Sequence, residues 1–137
     1  MNARKTYAGP IALAAVAMAV NFGAAPSAVG DTNHYVRTVS GQVRCLVLDI
    51  QVTCEHGPSF PQSPEGEDLA VVTSDGNFHW DSGNIGGAHY DQDVVLAYGQ
   101  SFKVNGWTIE PSNTGTRFAN SATGHGMFVS VENVYAF

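Results

Sequence analysis

Two cysteines, Cys45 and Cys54, each sit inside a run that alternates between apolar and polar residues, and this arrangement limits the possible folds more than any other feature. Val43-Arg44-Cys45-Leu46-Val47-Leu48 and Gln51-Val52-Thr53-Cys54-Glu55 both carry the two-residue period of a half-buried strand. With Asp49-Ile50 as a two-residue loop, Leu48 faces Gln51, Val47 faces Val52, and Cys45 falls opposite Cys54. Counted outward from the loop, that pair is non-hydrogen-bonded, where Cα atoms approach to about 4.5 Å, a separation that a disulfide accepts. Val43, Val47 and Val52 share the cysteines' face, which is expected to be buried. Ile50 strains the arrangement, because a two-residue hairpin loop favours positive φ and a β-branched residue resists it; a four-residue loop keeps the same register. The C-x8-C spacing fits neither a redox pair nor a zinc knuckle. Closing a loop of about ten residues is worth roughly 2–3 kcal/mol in the chain-entropy model.

A bridge of this kind needs an oxidising compartment, and the start of the chain supplies a route to one. Arg4 and Lys5 form a positive head, Ile11 to Val20 is an unbroken apolar stretch, and small residues end in Ala28-Val29-Gly30. This is the order of parts in a secretory signal peptide. Residues 1–30 are therefore expected to be a leader cut after Gly30, and residues 31–137 one domain, secreted to the extracellular space or the cell envelope. The apolar stretch is far shorter than the roughly 20 residues of a membrane-spanning helix, and no longer one follows. All twelve acidic residues lie after the cut, with only Arg37, Arg44, Lys103 and Arg117 as bases. So acidic a surface repels phosphate backbones and anionic lipid, which argues against nucleic acid as a partner.

Helical periodicity is almost absent after residue 30. Short alternating runs bounded by Gly, Pro, Asn, Asp and Ser predict strands at His34–Val39, in the cysteine hairpin, at Leu69–Thr73, from Phe78, at Asp93–Tyr98 and at Thr116–Asn120, with a long final strand over Met127–Phe137. Gly57 to Asp68 holds three prolines and reads as a loop, with Phe60 turned inward; Asp81 to Ala88 is Gly-rich and irregular. Asn105-Gly106 is the strongest short hairpin cue in the chain. It pairs Val104 with Trp107, Lys103 with Thr108 and Phe102 with Ile109, with one apolar face of Phe102, Val104, Trp107 and Ile109. Eight to ten short strands, with no repeat or linker, imply an all-β domain, a small antiparallel sandwich or barrel. The aromatic residues Trp80, Tyr90, Tyr98, Trp107, Phe118, Tyr135 and Phe137 are expected mostly in its core.

Candidate chemistry gathers in His79-Trp80-Asp81 and His89-Tyr90-Asp91-Gln92-Asp93. On strands, His79 and Asp81 share a face, as do His89, Asp91 and Asp93, and imidazoles with carboxylates at alternating positions suit a divalent ion. The spacing matches no closed zinc site and no EF-hand. His125 lies between Gly124 and Gly126; as a catalytic base it lacks a nucleophile, since there is no G-x-S-x-G elbow and no free Cys once the bridge forms. Asp81, Asp91 and Glu110 are the carboxylates that would have to converge for glycoside hydrolysis. No phosphate-cradling or dinucleotide fingerprint is present.

The strings Val43–Cys54 (VRCLVLDIQVTC), Asp93–Ile109 (DVVLAYGQSFKVNGWTI) and Gly115–Phe137 (GTRFANSATGHGMFVSVENVYAF) resemble small exported proteins of actinobacteria, especially mycobacteria. The resemblance implies secretion or a cell-envelope location and carries no catalytic residues with it. The sequence thus reads as an exported, disulfide-stapled, monomeric all-β protein. Its expected role is a non-enzymatic binding or interaction module for a protein or envelope ligand, without cofactor. The alternative is a small metal-dependent or hydrolytic enzyme built on the His/Asp cluster.

Overall fold

The computed structural model describes residues 27–29, 34–57, 59–87 and 90–137. The predicted cut after Gly30 and the candidate ligand His89 lie outside the described residues.

The cysteine hairpin forms in the expected register. Val43–Val47 (β3) and Gln51–His56 (β4) pair antiparallel, with Cys45 opposite Cys54 and Val47 opposite Val52. The disulfide is made across the pair, with Cα atoms 4.0 Å apart. Leu48 N–H donates to the Gln51 carbonyl at 2.9 Å and closes the turn. Ile50 escapes the feared strain, since Asn105 is the one described non-glycine residue with positive φ.

This hairpin is the centre of a six-stranded sheet. Leu69–Thr73 (β5) and Phe78–Asp81 (β6) extend it on one side; His34–Thr38 (β2) and Val94–Leu96 (β7) extend it on the other. The spatial order is β6-β5-β4-β3-β2-β7, with β7 parallel to β2 and the other pairs antiparallel. The remaining strands make a second six-stranded sheet. Phe102–Val104 (β8) and Trp107–Ser112 (β9) form the predicted Asn-Gly hairpin in the predicted register. Asn105 and Gly106 take φ of 46° and 85°, the positive pair that a type I′ turn demands. Gly115–Asn120 (β10), Gly126–Val129 (β11) and Val134–Ala136 (β12) follow in order, and Ser27–Val29 (β1) lies parallel to β8 at the far edge.

The two inner faces bury one core. The first sheet contributes Val36, the two cysteines, Val47, Val52 and Val72; the second contributes Val104, Trp107, Ile109, Phe118, Met127 and Val129. Phe60 is pinned into the same core from the proline-rich loop. Trp107 is fully buried, and its indole N–H finds the Leu48 carbonyl at 2.8 Å. Asn105 Nδ2 donates to the Val47 carbonyl at 2.9 Å. The turn of one sheet is thereby fastened to the turn of the other. The fold is a two-sheet β-sandwich, which resolves the open choice between sandwich and barrel.

Two expectations need correction. Met127–Phe137 is not one long strand: Ser130 folds it into the β11–β12 hairpin. The Ser130 Oγ accepts from Asn133 N–H at 2.9 Å, and Ser130 N–H donates to the Asn133 carbonyl at 2.9 Å. That fold stacks Tyr135 on Phe128 with ring centroids 5.2 Å apart and raises the strand count above the expected range. The aromatic residues are also less buried than expected. Trp107 and Phe118 are in the core, but Tyr90, Tyr98, Tyr135 and Phe137 are exposed. A sandwich this thin has inner positions for few large rings, and the others lie on outer faces and loops. Among the described residues no helix is long and apolar enough to cross a membrane.

Candidate functional site

Alternation predicts a polar, wet outer face for the first sheet. Instead β3 is buried on both faces. On the outer face the strand registers set Val95, Arg37, Arg44, Glu55, Leu69 and Asp81 side by side in one row across the sheet. Segments 82–87 and 90–93 lie over this row. Ile85 packs on Leu69 and Val71 with Tyr35 and Leu46, a second small apolar cluster.

Arg44 holds these segments down. Its Nε donates to Asp93 Oδ2 at 2.6 Å and its Nη2 to Asp93 Oδ1 at 2.9 Å, a two-pronged ion pair. Its Nη1 donates to the Gly86 carbonyl at 2.6 Å. The guanidinium plane lies between two rings, with its central carbon 4.5 Å from the centroid of Tyr35 and 4.3 Å from that of Tyr90. Tyr35 O–H in turn donates to the Ile85 carbonyl at 3.1 Å. The chain comes so close here that a Cβ on Gly87 would stand 2.8 Å from the Tyr35 ring, so this position requires glycine. The side chains of Arg44 and Asp93 are 6% and 1% exposed. The hydrogen bond to Asp93 holds the Arg44 pKa above its ordinary value, against the opposing effect of burial. Buried charges survive only when paired and hydrogen-bonded, as these are.

Beside this clamp is a cavity of about 420 Å³, walled by Arg37, Gln42, Glu55, His56, Asp68 and Tyr90, within the size range of small-molecule sites. Its acidic walls are partly engaged: Glu55 Oε2 accepts from Ile85 N–H at 3.3 Å, and Asp68 Oδ1 from Gly83 N–H at 3.0 Å. A carboxylate has about four acceptor positions, so both keep capacity for a further donor. His56 Nδ1 lies 2.8 Å from the Gln42 carbonyl. Arg37 is different. Its Nε is buried and, among the described residues, is the one buried side-chain nitrogen or oxygen without a hydrogen-bond partner. A second cavity, of about 460 Å³, opens between the ends of the sheets near Tyr98, Thr116 and Glu132.

The residues singled out from the sequence are placed as follows. His79 and Asp81 share the outer face of β6 as expected, and both are exposed. Asp91 is exposed in a single 3-10 turn, Tyr90–Gln92. Asp93 is buried with both oxygens on Arg44. Among the described residues no three His, Cys, Asp or Glu side chains gather as a metal-ligand set. Glu110 lies on the outer face of the other sheet, paired with Arg117, away from Asp81 and Asp91. His125 is exposed over the β5–β6 turn, where a Cβ on Gly76 would meet its ring at 2.8 Å.

Sequence reasoning read Arg37 and Arg44 only as two of four bases. The available clue was their place in the outward register of the cysteine hairpin and its neighbour strand. Comparison of the chain with protein-family models, with curated proteins and with solved structures returns no match.

Proposed function

We propose that this chain is an exported, non-enzymatic binding module, and that its ligand enters the cavity beside the Arg44 clamp. One observation supports this reading above others: Arg37, whose buried Nε has no hydrogen-bond partner, is one of the residues lining that cavity. A buried donor without an acceptor costs about 1–3 kcal/mol, and a ligand acceptor would remove that cost. The surrounding residues suit a binding site. Arg44, the Tyr rings and Asp93 hold the floor rigid, so little ordering is needed when a ligand arrives.

The test compares the full chain with Arg37→Met in capture from cell-envelope and extracellular fractions. The expected result is a component retained by the wild type and lost by the variant, with the variant melting no lower than the wild type. Identical captured sets would overturn the reading.

A further inference from the structure

The charges around the cavity also suggest what kind of ligand it takes. Arg44 is neutralised by Asp93. What remains in the lining is Arg37, on the strand to one side of Arg44, and Glu55 and Asp68 to its other side. A simple anion would satisfy Arg37 but face two carboxylates, and a simple cation would leave the Arg37 Nε unpaired. A ligand with an anionic end and a donor end answers both sides without adding net charge to an acidic domain. Its length can be bounded. Arg37, Arg44 and Glu55 stand on three adjacent strands, in register. Two inter-strand spacings of about 4.8 Å put Arg37 and Glu55 backbones roughly 10 Å apart. Two extended residues span about 7 Å. A ligand of about two residues fits within that span.

We propose that the cavity binds a peptide-like zwitterion about two residues long, its carboxylate on the Arg37 guanidinium and its ammonium between Glu55 and Asp68. The planar guanidinium fork suits a carboxylate in particular. This inference rests on the reading of the cavity as the ligand site.

The test uses three probes on the full chain: alanyl-alanine, N-acetyl-alanyl-alanine, which lacks the ammonium, and alanyl-alanine amide, which lacks the carboxylate. Binding is read by calorimetry and by the NMR shift of the Arg37 Nε–H. The zwitterion should move that resonance and bind at least about tenfold more tightly than either blocked form, the loss expected for one charged hydrogen bond. Glu55→Gln keeps an acceptor for Ile85 N–H and should erase the preference over the N-acetyl probe. If the N-acetyl probe binds as well as the zwitterion and moves the Arg37 resonance, the zwitterion inference falls and the cavity reading stands. If no probe moves it at tens of millimolar, the zwitterion inference also falls, and the Arg37→Met capture decides the cavity reading separately.

Discussion

Arg44 and Arg117 are built from the same parts and behave differently. Each pairs with a carboxylate, and each lies over an aromatic ring. Arg117 sits on the outer face of the second sheet, 3.4 Å from Glu110, with its guanidinium carbon 4.3 Å from the Phe137 centroid. Its side chain and that of Glu110 are 47% and 55% exposed. Arg44 meets Asp93 at 2.6 Å in near-complete burial. The difference lies in the covering. A segment of chain folds over the first sheet and excludes water from the pair, and no described segment does this for the second. Burial makes the Arg44 pair hard to break without making it a large net source of stability, whereas the Arg117 pair is weak and screened.

The sharpest way to break the comparison is to remove one partner from each pair. Asp93→Ala leaves Arg44 buried without its counter-charge and should cost about 3–5 kcal/mol in denaturant unfolding; a loss below about 1 kcal/mol would mean the clamp is not water-excluded. The disulfide on the opposite face of the same strand gives a yardstick. Reducing Cys45–Cys54 should cost roughly 2–3 kcal/mol, so the reduced wild type is expected to unfold at higher denaturant than the oxidised Asp93→Ala protein. Arg117→Ala should cost only about 0.2–1 kcal/mol, with most of that loss gone at about 1 M salt. Arg37, next to Arg44 in the same row, makes a third case. Replacing an orphaned donor removes nothing formed and relieves its desolvation cost, so Arg37→Met should be at least as stable as wild type; a clear loss would reveal a structural partner.

The smallest effect concerns pH. Asp75 is fully exposed, and its pKa is held below the ordinary 3.8 mainly by the Thr73 hydroxyl. A lowered carboxylate pKa contributes stability above the unfolded value, and that contribution is lost as pH falls through the folded one. Asp75→Asn should therefore flatten a slight decline in melting temperature between about pH 5 and pH 2. The raised pKa of Arg44 has the opposite sign. Its contribution is intact at every pH below the ordinary arginine value and is lost only as pH rises through the raised one, so acid should not loosen the clamp through the arginine.

What the sequence made legible follows from distance along the chain. The cysteine and Asn-Gly hairpins were readable because partners a few residues apart share one alternating pattern and one turn. The β11–β12 hairpin was missed because its turn, Val131-Glu132-Asn133, carries no Gly or Pro and is closed by the Ser130 side chain. The clamp was missed because Arg44 and Asp93 are 49 residues apart. Nothing local marks which outward arginine will be covered, and Asp93 read equally well as a metal ligand.

The short strand β1 has a consequence for which molecule a partner meets. It lies on the leader side of the predicted cut and occupies the backbone edge of β8. Were the chain cut after Gly30, processing would strip that strand away and uncap a row of amides and carbonyls along Phe102–Val104, the kind of open margin that invites another chain to add itself. The precursor and the trimmed protein would then differ in assembly as well as in length. Between its buried neighbours, Lys103 points outward from β8, the sort of charge with which natural sheets guard an open margin.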